Sequence, residues 1–114
     1  MNDYTFDDYQ RQAIDTLIYP GSGEILGLSY VVLGLMGEAG EVAEKVKKLI
    51  RDKGGEITET DKQELKKELG DVLWYSAALC HELGVDLADV AIQNVEKLNS
   101  RKQRGKLSGS GDNR

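Results

Sequence analysis

Two runs of apolar residues at alternating steps of four and three confine this chain to long helices. Leu28, Val32, Leu35, Ala39, Val42, Val46 and Leu49 form the first run, and Leu65, Leu69, Val72, Ser76, Leu79 and Leu83 form the second. An α-helix turns once in about 3.6 residues, so each series gathers on one side of a helix as a heptad seam. The lone proline, Pro20, precedes both runs, leaving neither with a residue that removes a backbone donor. Gly54-Gly55 lies between them and offers a reversal. The pattern predicts one helix from Glu24 or Ile25 to Asp52 and another entered through Thr58 to Asp61 and closed by Gly84. The two should pack antiparallel, seam against seam.

Shorter helices flank this hairpin. Thr5 with Asp8 resembles an N-cap and an acidic first turn, and Tyr9, Ala13, Ile14, Leu17 and Ile18 supply an apolar stripe behind it. Tyr19-Pro20-Gly21-Ser22-Gly23 reads as a loop. Asp86 is placed to cap a last helix that carries Leu87, Ala91 and Leu98 inward and ends near Arg101. From Lys102 the segment KQRGKLSGSGDNR loses all periodicity, which predicts a mobile tail. The expected organisation is a single all-α domain over residues 1–101, a helical bundle completed by oligomerisation, and a tail over 102–114.

Charge and cysteine usage exclude several classes. A net charge of -5 gives no overall positive field for a phosphate backbone, so no nucleic-acid polymer is expected as a partner. The single cysteine, Cys80, has no intrachain partner, and MNDYTFDDYQ lacks the basic and apolar regions of a signal peptide. A cytoplasmic protein is the expectation. The longest apolar stretches are broken by Gly or Glu well short of the roughly 20 residues that span a bilayer, so no membrane association is expected.

The seams carry chemistry on their flanks. Glu38 and Glu41 lie three apart on the first long helix, and Glu68 and Asp71 lie three apart on the second, nearly mirrored about Gly54-Gly55. Each acid immediately precedes a seam position, so folding at the double glycine should bring four carboxylates together beside the interface. Such oxygens repel one another, and a hard cation such as Mg2+ offsets that cost most simply. Gly40 and Gly70 interrupt the two pairs despite a penalty of about 0.5–1 kcal/mol relative to alanine. Close backbone approach or space for a ligand would account for them. Two acidic pairs also occur by chance on solvated helix faces, and a plain structural bundle is the bland alternative.

The segments GEAGEVAEKV and, after a spacer, ELGDVLWY resemble the MazG-like nucleotide pyrophosphohydrolases, all-α enzymes marked by ExxE, a spacer and ExxD. Gly37 stands where many of those relatives carry a further acid. The resemblance implies Mg2+-dependent cleavage of nucleoside triphosphates between the α and β phosphates, deoxynucleotides in particular, as a house-cleaning activity. Glu38, Glu41, Glu68 and Asp71 would then hold the metal, and Glu38 and Glu41 are the two candidates for the base that accepts a proton from water. It also points to a homodimer, or a tetramer built as a dimer of dimers.

Tyr75, four residues after Asp71, shares its helix face and is a candidate to pack on the sugar or base. Trp74 reads as core or subunit interface. Asn94, Lys97 and Arg101 form a polar and cationic stripe, and NVEKLNSR resembles the family's Asn-x-x-Lys stretch that helps hold phosphates. Ordinary C-terminal cations balancing a helix dipole would look the same. Lys45, Lys48 and Arg51 could reach a triphosphate, but a solvated face paired with nearby acids is the commoner arrangement. The competing functional reading is a non-catalytic helical module that binds nucleotides or a protein and keeps the acids as a regulatory metal site.

Overall fold

The computed structural model describes residues 3–114; Met1 and Asn2, with which the expected domain begins, lie outside the described residues. The described residues form helices and no strand: α1 (Phe6–Ile14), α2 (Ile25–Lys53), α3 (Glu59–Leu83) and α4 (Leu87–Gln103). The local signals act as expected at most ends. Thr5 and Asp8 form a reciprocal capping box at α1, as do Thr58 and Asp61 at α3. Gly54 and Gly84 close α2 and α3 in the left-handed conformation, where a side chain would be strained.

Asp86 makes no side-chain cap on α4. The first amide of that helix, Leu87 N, donates instead to Gln10 Oε1 at 2.9 Å, and Gln10 Nε2 donates to Val85 O at 3.1 Å. Gln10 is buried on α1, so one side chain satisfies both polar groups of the α3–α4 turn and ties the first helix to the last. Around it Ala13, Ala77, Cys80 and Leu87 form one apolar cluster, packed by Tyr9, Leu73 and Trp74. Trp74 also borders a second cluster of Tyr19, Val31 and Ala78, and its indole N–H donates to Thr16 Oγ1 at 2.8 Å. Trp74 is therefore half-buried against both clusters of the core.

Helices α2 and α3 share the most extensive packing. Lys53 pairs with Asp61, Lys45 with Glu68, and Gly34 lies under Tyr75, so contacts advance on one helix as they recede on the other. The apolar seams meet only in part, at residues such as Leu49 and Leu79. Val31, Gly34, Glu38, Lys45 and Leu49 on α2 face α3, whereas Val32 and Val46 are 41% exposed. On α3, Leu69 and Leu83 are 61% and 57% exposed, and Glu68, Tyr75, Ala78 and Glu82 do the contacting. The expected period holds, and the contact face is displaced towards the residue before each seam position without leaving the seam altogether. Small residues at Gly34 and Ala78 let the helices approach on that side, and the larger aliphatic face turns outward.

The loop before α2 is fastened by Glu82, which accepts hydrogen bonds from Tyr19 Oη, Ser22 Oγ and Gly23 N. The Tyr19 bond, first among these interactions, holds the Glu82 carboxyl below its ordinary range. Burial and the same bond push the Tyr19 phenol up to about 12. By length and composition α2 is apolar enough to cross a membrane, contrary to the expectation that no segment would be. Glu38 and Glu41 fall inside it, and Glu38 lies against Glu68 and Asp71 of α3, which makes covering by protein the better physical account.

Helix α4 continues past Arg101 to Gln103, and the chain after it curls back. The Arg101 guanidinium is buried and donates to Asp112 O at 2.7 Å and Gly111 O at 3.4 Å, while Arg114 donates to the carbonyls of Lys106, Leu107 and Gly111. The segment expected to be a mobile tail is thus folded onto the last turn of α4.

Gln10→Ala should cost about 1–3 kcal/mol of unfolding free energy, because Leu87 N is left buried without a partner. Urea denaturation checks this, and an unchanged midpoint would show that α1 does not cap α4.

Candidate metal centre on the α2–α3 face

The displaced contact face places acids between the two helices. One carboxylate oxygen each from Glu38, Glu68 and Asp71 lie within 4.8 Å of one another, with Glu38 and Glu68 half-buried and Asp71 exposed. An octahedral cation bonded to oxygens at about 2.1 Å holds them about 3–4.2 Å apart, so small side-chain movements bring the trio onto a hard divalent ion. Burial raises the Glu38 carboxyl above its ordinary range first, and the Asp71 charge, the adjoining Glu68 carboxyl and the Glu41 charge add to it. This is the electrostatic mark of carboxylates held together without full compensation.

Glu41 was expected as a fourth ligand, and its oxygens do not belong to the group. It is exposed one turn beyond Glu38 and acts on that residue through its charge. Lys45, expected on a solvated face, brings its Nζ to 3.7 Å from Glu68 Oε1 and is the cation adjoining the trio. Lys48 and Arg51 do pair with local acids, Glu44 and Asp52.

Tyr75 lies on the same face, half-buried, with its ring edge-on to Trp74. A methyl group at Gly34 would fall inside the Tyr75 ring, so the missing side chain is what seats it. Burial raises the Tyr75 phenol, with further contributions from Tyr30 and the charges of Glu38 and Asp71. Tyr30 in turn stacks on Tyr19 at 5.2 Å between ring centres. Gly34 was legible only as part of the small-residue stretch upstream of the acids and Tyr30 was passed over; Tyr30, Gly34 and Glu38 follow one another at steps of four, which was the signal available. Gly40 and Gly70, by contrast, have open space where a side chain would stand. Close approach does not explain them, and room beside the acids is the explanation left.

The fourth-helix candidates are elsewhere in the chain. Helix α4 packs on α1 and α3 and makes no contact with α2. Asn94 is exposed, Lys97 Nζ lies 3.3 Å from Asp112 Oδ1, and Arg101 is enclosed by the tail. None of the three is among the groups gathered with the trio.

Residues 28–105 match the family model of the MazG nucleotide pyrophosphohydrolase domain. The chain is 57% identical over 111 residues to the Gene 37 protein of Mycobacterium phage L5, covering 95% of this chain and 97% of that protein. No solved structure matches it significantly.

The raised Glu38 fixes the sign of a pH effect. A carboxyl that binds its proton more tightly when folded contributes stability below the ordinary carboxylate range and loses it as pH rises through the raised value. Glu38→Gln should therefore raise the melting temperature of metal-free protein at pH 7, with the gain shrinking towards pH 4. A variant that melts at or below the parent at pH 7 would contradict the crowding.

Proposed function

The chain belongs to the MazG nucleotide pyrophosphohydrolase family, and from that footing we propose that it hydrolyses nucleoside triphosphates, deoxynucleotides above all, to monophosphate and pyrophosphate with Mg2+. The observation that carries this reading is the convergence of Glu38, Glu68 and Asp71 from two helices. A divalent cation bound there supplies neutralisation of phosphate oxygens and a more acidic water. Glu41, outside the trio and open to solvent, is the carboxylate free to accept the proton of the attacking water. That water adds to the α phosphorus as the bond to the α–β bridging oxygen breaks, and pyrophosphate leaves with the bridging oxygen.

Tyr75, held against Gly34 beside Glu38, is placed to bound the sugar or base. The space at Gly40 and Gly70 gives the phosphates access to the acids. Lys97 and Asn94 complete the site from a second copy of the chain. The outward aliphatic face supports that assembly: Leu33, Met36 and Leu69 are 72%, 60% and 61% exposed, a larger apolar surface than a lone domain ordinarily leaves wet. A long α2–α3 hairpin whose outer seam pairs with another copy gives a dimer, or a tetramer of two dimers. House-cleaning of the deoxynucleotide pool in the cytoplasm is the corresponding role.

Pyrophosphate release across common and damaged nucleoside triphosphates, with and without Mg2+, tests the reading. Metal-dependent turnover supports it, and tight binding without turnover favours a non-catalytic nucleotide-binding module. The division of labour gives a sharper expectation. Glu41→Gln should lower kcat about a hundredfold or more with Mg2+ affinity nearly kept, whereas Asp71→Asn should weaken Mg2+ itself. Near-normal turnover in Glu41→Gln would remove it as the base.

A further inference from the structure

The three acids do not face one another uncompensated. Lys45 comes from the same helix as Glu38, two turns later, and its ammonium reaches 3.7 Å from Glu68 Oε1, with side-chain exposures of 35% and 19%. Helical side chains lean towards the N-terminus, so the Lys45 stem leads back to the level of the acids rather than away from them. Glu68 is thus shared: Glu38 and Asp71 crowd it on one side, and Lys45 neutralises it on the other. Lys45 also borders a depression of ≈ 200 Å³ with Lys48, Leu49, Leu65 and the acids Asp61 and Glu64, which leaves its ammonium open space to move into.

We propose that Lys45 is a positioning residue that competes with the divalent cation for Glu68 and, once displaced, turns to the substrate's phosphates. The inference rests on the hydrolase reading for its second half only. With three carboxylates and one ammonium, the group carries two net negative charges when all are ionised. An incoming divalent ion balances them and removes the reason for Lys45 to stay on Glu68. Asp61 and Glu64, the acids nearest the freed ammonium, already pair with Lys53 and Lys67, so a polyanionic triphosphate beside the cation is the stronger partner left to it. Metal and nucleotide therefore bind cooperatively, because each takes up a partner that the other releases. Without nucleotide, Lys45 keeps the cation loosely held.

Two calorimetric titrations of the full chain test this with Lys45→Met and Lys45→Arg. In the first, Mg2+ is added without nucleotide: Lys45→Met should bind it roughly fivefold tighter than the parent, and Lys45→Arg should stay near the parent. In the second, a non-hydrolysable α,β-imido deoxynucleoside triphosphate is added at saturating Mg2+: Lys45→Met should bind it roughly tenfold more weakly, with affinity recovered in Lys45→Arg. Melting curves establish that both variants fold, and Lys45→Gln replaces Lys45→Met if that one does not. Equal or weaker Mg2+ binding in the neutral variant overturns the competition, as does a parent that takes up no Mg2+. Unchanged analogue affinity overturns the phosphate contact. A parent that binds Mg2+ yet releases no pyrophosphate ends the hydrolase reading, while the Mg2+ affinities still decide on Lys45.

Discussion

Repulsion among Glu38, Glu68 and Asp71 is the constraint around which the α2–α3 pair is organised. Three carboxylates across a helix interface destabilise it unless something else holds the helices together and something positive sits among them. The apolar cluster of Tyr19, Val31 and Ala78 does the first on one side of the acids. Ion pairs from Lys45 to Glu68 and from Lys53 to Asp61 line the other. The acids thus stand between contacts on both sides, which is what a site needs if it is to accept a cation without collapsing onto itself.

The frame extends outward from that gap. Gly34 admits the Tyr75 ring, Tyr75 meets Trp74, and Trp74 bonds to Thr16 next to α1. Glu82 fastens the loop that carries Tyr19, and Tyr19 stacks on Tyr30 one turn above Gly34. Helix α1 then reaches α4 through Gln10. Each of these contacts is individually modest, but together they join every helix to the wall beside the acids. The fold reads as a support for one face of two helices.

The sequence made helices legible because period and caps are local. Thr5 with Asp8, Thr58 with Asp61, Gly54 and Gly84 each do what their chemistry dictates within a turn of the chain. Phase was not legible. Leu69 and Val32 satisfied the heptad as well as Glu68 and Val31 did, and only the approach permitted by Gly34 and Ala78 decides which face turns in. The acids expected beside the interface do converge there as Glu38, Glu68 and Asp71, with Glu41 outside that group. The cap on α4 depended on Gln10, 77 residues away, and no local reading finds such a partner. Lys45 was legible only as one of three basic residues in reach of a triphosphate, and its pairing with Glu68 across the interface is what sets it apart from Lys48 and Arg51.

Where a divalent cation binds is the question on which the account turns. Anomalous diffraction from crystals grown with Mn2+ in place of Mg2+, together with a non-hydrolysable triphosphate, answers it directly. The account predicts a strong anomalous peak bonded to oxygens of Glu38, Glu68 and Asp71, with phosphate density on its open side. A fully occupied nucleotide with no peak at that trio in any subunit, or with its metal held by other side chains, would contradict it.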